Sequence, residues 1–345
     1  MSYLLPQSAD ASYIATLGRP IAPLSDLRTL VRLFRELRAL RPAIVHTHMA
    51  KAGLLGRLAA LAYNATRGRS PRARVIHTYH GHVLEGYFSA LVNRLLIAAE
   101  RLLARTSDAL IAISPAIRRE LVDVYRIGRD RQYRVVPLGF DLDGFSAIND
   151  ADRAGARRAL NLPGDALVVS TVGRLTAIKQ HELFLETIAR VAERHRSLVA
   201  LIAGDGERRQ ELEAQSAALG IAGRVRWLGW RRDLATIYGA TDVFLLTSRN
   251  EGTPVAIIEA MASGVAVVST NVGGVKDVVR SRDLGLLAPF GDAAALADNI
   301  DRLLKDAGRR RRMGDVARAS VLTRFGFDRL VTDLAHLYRE LLDQR

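Results

Sequence analysis

The sequence predicts an α/β protein of two successive domains, each built on a parallel sheet. Three observations lead there. The chain has 345 residues, more than one ordinary core holds. Short apolar runs alternate with longer helical patterns from residue 43 to residue 269, which is the signature of repeated βα units. The rhythm breaks once, at 139–150 (GFDLDGFSAIND), where two glycines and three aspartates leave no periodicity and mark a linker.

Taken in order, the chain opens on a weak apolar segment at 12–17 and a basic amphipathic stretch at 27–40 (LRTLVRLFRELRAL). Strands are expected at 43–48, 74–79, 109–113 and 134–137, with helices at 51–66, 88–105 and 116–125. Beyond the linker, strands are expected at 166–172, 198–203, 225–228, 243–247 and 265–269. Helices fall between them at 179–194, 207–219, 231–238 and 254–263. Five strands suffice for a doubly wound sheet. The tail reads as helix from 292 onward, broken near 307–308 and 325–326.

Composition narrows the function. Apolar residues make up 49% and charged ones 25%, which excludes a disordered chain. With no cysteine, a disulfide framework, a thiolate metal site and a cysteine nucleophile are all excluded; the absence suits a reducing cytoplasm. No apolar run is long enough for a membrane-spanning helix, and 1–15 lacks the pattern of a signal peptide. The net charge is +14, and residues 1–150 hold 21 lysines and arginines against 12 aspartates and glutamates. That excess suits an anionic membrane surface or a phosphorylated substrate, or reflects arginine-rich composition alone. No nucleic-acid module accompanies it and aromatics are few, so no nucleic-acid partner is expected.

Three segments carry candidate chemistry. In 172–179 (VGRLTAIK), Arg174 and Lys179 follow a strand end, where open α/β sheets bind ligands and two cations suit a diphosphate; a solvated lysine at a helix start reads the same way. In 201–206 (LIAGDG), Gly204 and its neighbours form either a phosphate-approaching loop or a tight turn with Asp205 capping a helix. The most informative segment is 248–264 (SRNEGTPVAIIEAMASG). Glu251 lies in the loop after a strand, Pro254 takes a first-turn helix position, and Glu259 sits on that helix among apolar neighbours. A carboxylate there is costly unless paired, with an arginine or with ligand hydroxyls such as those of a ribose. Gly252 and Thr253 offer N–H groups and a hydroxyl at the helix start. Five histidines, at 46, 48, 77, 80 and 82, cluster at two strand ends. Their spacing permits a metal, yet no carboxylate accompanies them, and no metal is expected.

With these motifs in place, 172–274 resembles the donor-binding domain of the family 4 retaining glycosyltransferases. VGRLTAIK, LIAGDGE, VRWLGWRRDLATIYGATDVFLLTS, EGTPVAIIEAMASG and VVSTNVGGVKDVV occur in that order. VHTHMAKAGLLGRLAA, HTYHGHVLEGYF and DALIAISPAIRREL extend the resemblance through the first half. The resemblance implies a GT-B fold, two Rossmann-like domains facing across a cleft, with an acceptor-side domain at 1–140, a donor domain at 141–325 and a terminal helix at 326–345 returning to the first domain. It implies that Arg174 and Lys179 hold the donor diphosphate beside Gly173 and Gly204. Glu259 would bind the ribose and Glu251 the transferred sugar. The backbone at Gly229, Trp230 and Arg231 would receive the base, and Gly252 and Thr253 would lie beside sugar and phosphate. His80 would face the sugar, with His48, Lys51 and His82 on the acceptor side. The donor is a nucleoside-diphosphate sugar, with UDP favoured, and the acceptor a saccharide or a lipid-linked one; no cofactor is implied.

Relatives open on a strand and a Gly-rich loop, and nothing of that kind precedes residue 43, so the first domain is expected to lack its first β-α-β unit. The stretches 27–40, through Arg32, Arg35 and Arg38, and 88–105 are candidate contacts with an anionic membrane, giving a cytoplasmic protein peripheral at the inner face. Two rival readings remain. A sugar-nucleotide epimerase would need acids in the first domain, for which Glu85 and Glu100 are the central candidates. A sugar-nucleotide-binding partner would lack transfer.

Overall fold

The computed structural model describes residues 11–18, 22–68, 71–80 and 90–344; His82 and Glu85 lie outside them. The chain divides into two units, residues 1–137 with 332–345, and residues 138–331.

The first unit holds a four-stranded parallel sheet in the order β1 (Ile44–His48), β2 (Arg74–Tyr79), β3 (Ala109–Ala112), β4 (Tyr133–Val135). α1 (Pro23–Leu40) precedes it. α2 (Ala50–Ala65) and α3 (Ala90–Thr106) make the crossovers, and right-handed connections between successive neighbours place both on one face. Two glycines let α2 close on the sheet: a Cβ at Gly53 would stand 2.3 Å from the His77 ring, and one at Gly56 would stand 2.7 Å from the Thr47 methyl. After β3, α4 (Pro115–Arg119), capped by Ser114, passes into a π turn at Glu120–Val124 where a continuous helix was expected.

The second unit holds a six-stranded sheet in the order β10-β9-β8-β5-β6-β7, every pair parallel. Its strands are β5 (Leu167–Val172), β6 (Leu198–Ala203), β7 (Val225–Gly229), β8 (Val243–Leu246), β9 (Ala266–Thr270) and β10 (Leu286–Ala288). The near-continuous apolar runs reflect burial on both faces. α5 (Asp143–Ser146) lies in the expected linker, and α6 (Asp150–Ala159) begins where Asn149 caps the Ala151 and Asp152 amides. α7 (His181–Ala192), α8 (Arg209–Ala218) and α9 (Leu234–Ala240) link β5 through β8. α10 (Val255–Ala262) follows β8 and α11 (Val275–Val278) follows β9. One core joins β5, β6, β8 and β9 to α7 and α12 (Ala293–Lys305). A second joins β8 and β9 to α10 and α13 (Ala307–Phe325).

α14 (Phe327–Asp343) follows the break at Gly326 and passes from the second unit into the first. Within the first unit the Tyr338 hydroxyl lies 2.6 Å from His46 Nδ1, Glu340 pairs with Arg134 at 2.6 Å, and Arg74 donates to the Gln344 carbonyl at 2.7 Å.

Candidate functional site

The strand order of the second sheet reverses beside β5, whose two neighbours are β6 and β8. Ligands of open α/β sheets bind at such a switch point, beyond the carboxyl ends of the strands. A cavity of about 260 Å³ lies there, lined by residues that include Gly173, Lys179, Glu251, Thr253 and Glu259. Five of the residues singled out in the sequence thus meet in one hollow.

Lys179 ends a 3-10 turn, Ala177–Lys179, two residues before α7, rather than opening the helix as expected. The Thr247 hydroxyl donates to the Lys179 and Gln180 carbonyls at 3.2 and 2.9 Å, which fixes the turn against the end of β8. The Lys179 ammonium lies 2.6 Å from Glu251 Oε1. The buried Ser248 hydroxyl donates to the same oxygen at 2.6 Å. Glu251 is thereby held through one oxygen, and among the described residues no hydrogen bond reaches the other.

Glu259 projects from the apolar helix α10 into the cavity. Its partner is neither arginine nor solvent alone: the Tyr238 hydroxyl donates to Oε2 at 2.9 Å. Burial holds the Glu259 carboxyl above the usual carboxylate range, while the Tyr238 bond pulls the other way. Burial, reinforced by the Glu259 charge, holds the Tyr238 phenol well above its ordinary value. Tyr238 and Ser248 are the two residues sequence reading passed over. Ser248 stood at the head of the quoted motif, whereas Tyr238 comes from another helix 21 residues away.

The glycines explain how closely these loops approach. A Cβ at Gly204 would stand 1.9 Å from the Gly173 carbonyl oxygen, and one at Gly274 would stand 1.8 Å from that of Gly252. The Gly274 amide also donates to the Glu251 carbonyl at 2.8 Å. Asp205 accepts from its neighbour's amide, Gly206 N, at 2.8 Å, and the Gly-Asp-Gly segment forms a tight turn packed on the loop after β5. Gly229, at φ 65°, ends β7 with open space around its α carbon. Trp230 beside it is exposed with the Arg232 guanidinium 5.1 Å from its ring centre. The Arg231 side chain is forked onto Asp233 at 2.7 and 2.5 Å, which leaves only its backbone for a ligand. Arg174 is exposed two residues beyond β5 and makes no ion pair among the described residues.

In the first unit the histidines fall into two settings. His77 is buried, with Nδ1 2.9 Å from the Thr47 hydroxyl; burial, aided by the Arg57 charge, lowers it to about 2. His46, His48 and His80 form a chain at the ends of β1 and β2. His48 Nδ1 lies 3.0 Å from His80 Nε2, and the His46 and His48 ring centres are 4.3 Å apart. Burial, with His48 and His80 adding to it, lowers His46 to about 4. Burial also lowers His48 and His80. No group of three or more His, Cys, Asp or Glu side chains suited to a metal ion occurs among the described residues. The Lys51 ammonium lies 2.6 Å from Asp26, joining α2 to α1. Glu100, the described acid that an epimerase would need, is bound instead by the buried Arg57 at 2.7 and 2.8 Å and by the Tyr79 hydroxyl at 2.8 Å. That network leaves it no role as a free catalytic acid.

Residues 10–143 match the family described as Glycosyltransferase Family 4, and residues 152–320 match Glycosyl transferases group 1. The chain is 30% identical over 311 residues to the UDP-Gal:alpha-D-GlcNAc-diphosphoundecaprenol alpha-1,3-galactosyltransferase of Escherichia coli, covering 88% of this chain and 76% of that one. It is 32% identical over 321 residues to the D-inositol 3-phosphate glycosyltransferase of Xylanimonas cellulosilytica, covering 88% and 73%. Among solved structures, Anabaena HepE in complex with UDP superposes with a TM-score of 0.80 at 22% identity, covering 93% of this chain and 84% of that one. Family matches across both units, long relatives and a shared two-sheet α/β fold agree: the chain belongs to the family 4 glycosyltransferases of the GT-B fold.

Proposed function

We propose that this glycosyltransferase moves a sugar from a nucleoside-diphosphate sugar, a UDP-sugar, to a saccharide or lipid-linked acceptor, with retention of configuration and without a metal. The observation that carries the reading is the cavity at the sheet's switch point, where a cation, two half-buried carboxylates and a helix start converge. HepE was solved with UDP and with UDP-glucose, and the Escherichia coli relative is named for a UDP-galactose donor and a diphosphoundecaprenol acceptor, which supports the choice of donor and acceptor class.

In this reading Lys179 and Arg174 hold the diphosphate beside the backbone of Gly173, and their charge stabilises the departing nucleotide. Glu259 accepts from the ribose hydroxyls, a role that suits a carboxylate with one oxygen already fixed by Tyr238. Glu251 receives the transferred sugar's hydroxyls on the oxygen that Ser248 and Lys179 leave open, with Gly252 and Thr253 beside it. The backbone from Gly229 through Trp230 to Arg231 receives the base. In the first unit, His80, His48 and Lys51 are the candidate acceptor-binding residues. Catalysis then rests on positioning and charge stabilisation.

The test is thermal melting with uridine, guanosine and adenosine diphosphates, alongside a Glu259→Ala variant. A ligand at a hundred times its dissociation constant adds about 2.7 kcal/mol of stability. A shift with UDP that disappears in the variant is the expected outcome; equal shifts in both proteins would move the nucleotide out of this cavity.

A further inference from the structure

α3 has two faces of opposite character. Its inner face packs Leu96, Ile97, Leu103 and Ala104 against the first sheet and turns Glu100 toward Arg57. Its outer face carries Leu91, Leu95 and Leu102, exposed to 69%, 63% and 62%, interleaved with Arg94, Arg101 and Arg105. The spacing follows one helical stripe. Arg101 also donates to the Tyr125 carbonyl at 2.8 Å, which brings the exposed Val124 to the same side. At the C-terminal end of α3, Arg105 joins Arg129, Arg131 and Arg134 around a depression of about 380 Å³. Arg134 is paired with Glu340; Arg105, Arg129 and Arg131 make no ion pair among the described residues.

Single exposed leucines are ordinary on a protein surface, but this distribution is lopsided. Seven of the eight exposed leucines among the described residues lie in the first unit, the smaller of the two. Residues 1–137 also carry 21 lysines and arginines against nine aspartates and glutamates. Leucines and unneutralised arginines on one helix face match an anionic lipid bilayer. The leucines enter the boundary between headgroups and acyl chains, and the guanidinium groups meet lipid phosphates. A neutral protein surface with the same apolar content would gain nothing from so many unpaired cations.

We propose that the outer face of α3, with the arginine-lined depression at its end, docks on an anionic bilayer. The proposal deepens the reading of a lipid-linked acceptor, yet its test needs neither donor nor acceptor. Of the two stretches expected from the sequence to meet a membrane, it selects the second. α1 also exposes Leu24, Leu27, Val31 and Leu40, but its Arg32 is engaged with Ser12 and Glu36, whereas Arg94 and Arg105 on α3 make no ion pair among the described residues.

The experiment is flotation of the full chain with vesicles of phosphatidylcholine alone and with one quarter phosphatidylglycerol. The unmodified chain floats with the anionic vesicles, stays down with the neutral ones, and is released by high salt. A Leu91→Ser/Leu95→Ser/Leu102→Ser variant and an Arg94→Gln/Arg105→Gln/Arg131→Gln variant each lose about tenfold or more in binding. Both keep the melting temperature and the UDP-induced shift of the unmodified chain, which separates this outcome from failure of the donor site. The proposal is overturned if the unmodified chain does not float with anionic vesicles, or if either variant floats as it does. A dimer that the serine variant disperses, without flotation, would assign the stripe to a second copy and overturn it equally.

Discussion

One oxygen of Glu251 is held by two donors, Lys179 and Ser248, so the direction of the free oxygen depends on a fully buried serine behind the cavity lining. Ser248→Ala removes a bond to a charged group worth about 1.5–3 kcal/mol. The expected result is a KM for the sugar nucleotide raised roughly tenfold or more, with the affinity for UDP alone unchanged. Comparing titrations of UDP and UDP-glucose on the same variant checks it; equal losses for both would place Ser248 in the general folding of the loop. A second buried polar pair has the opposite weight. Arg57 is fully buried and donates to Glu100 and to the Gly53 carbonyl, and the Tyr79 hydroxyl donates to the same Glu100 carboxylate. Glu100→Leu leaves that guanidinium uncompensated and costs about 3–5 kcal/mol, read as a lowered urea midpoint, while Tyr79→Phe removes one neutral donor and costs less.

At the scale of elements, the loops after β5, β8 and β9 meet because glycine leaves them room. Gly274→Ala would drive a Cβ into the Gly252 carbonyl and push the Glu251 loop out of the cavity. UDP-glucose binding should fall by tenfold or more, while a Gly223→Ala change, far from any neighbour, leaves it untouched; titration of the two variants side by side decides. This is also where the sequence was legible and where it was not. β5, β8 and β9 announced themselves because strands buried on both faces read as unbroken apolar runs. β10 went unseen because three residues between Gly285 and Pro289 give no period. The motif around Glu251 and Glu259 named the right helix, since a carboxylate among apolar neighbours demands a partner. It could not name Tyr238, because that contact is set by how α9 packs on α10. Arg57 and Glu100, 43 residues apart, likewise look like surface charges until the fold buries them.

For the whole molecule, the buried histidines set a pH dependence. Burial lowers His46 and His181 to about 4, against about 6.5 for an unfolded imidazole. The unfolded chain therefore takes up protons that the folded one refuses as pH falls below about 6.5. Stability from these groups is full above that value and declines until pH reaches about 4, by up to about 1.4 kcal/mol per pH unit for each histidine. Melting temperatures at pH 7.5 and 4.5 should differ accordingly, with a shallower decline in His181→Gln.

The passage of α14 from one unit into the other also orders events in time. The second unit is one continuous stretch, residues 138–331, whereas the first is completed by residues 332–345. A ribosome adding 5–20 residues per second spends roughly 10–40 seconds on the stretch between. Throughout that interval His46 waits for Tyr338 and Arg134 for Glu340. The second unit can thus fold as it emerges, while the unit made first is finished last. A nascent chain halted at Val331 should already answer to UDP and still lack the protease resistance of its own beginning.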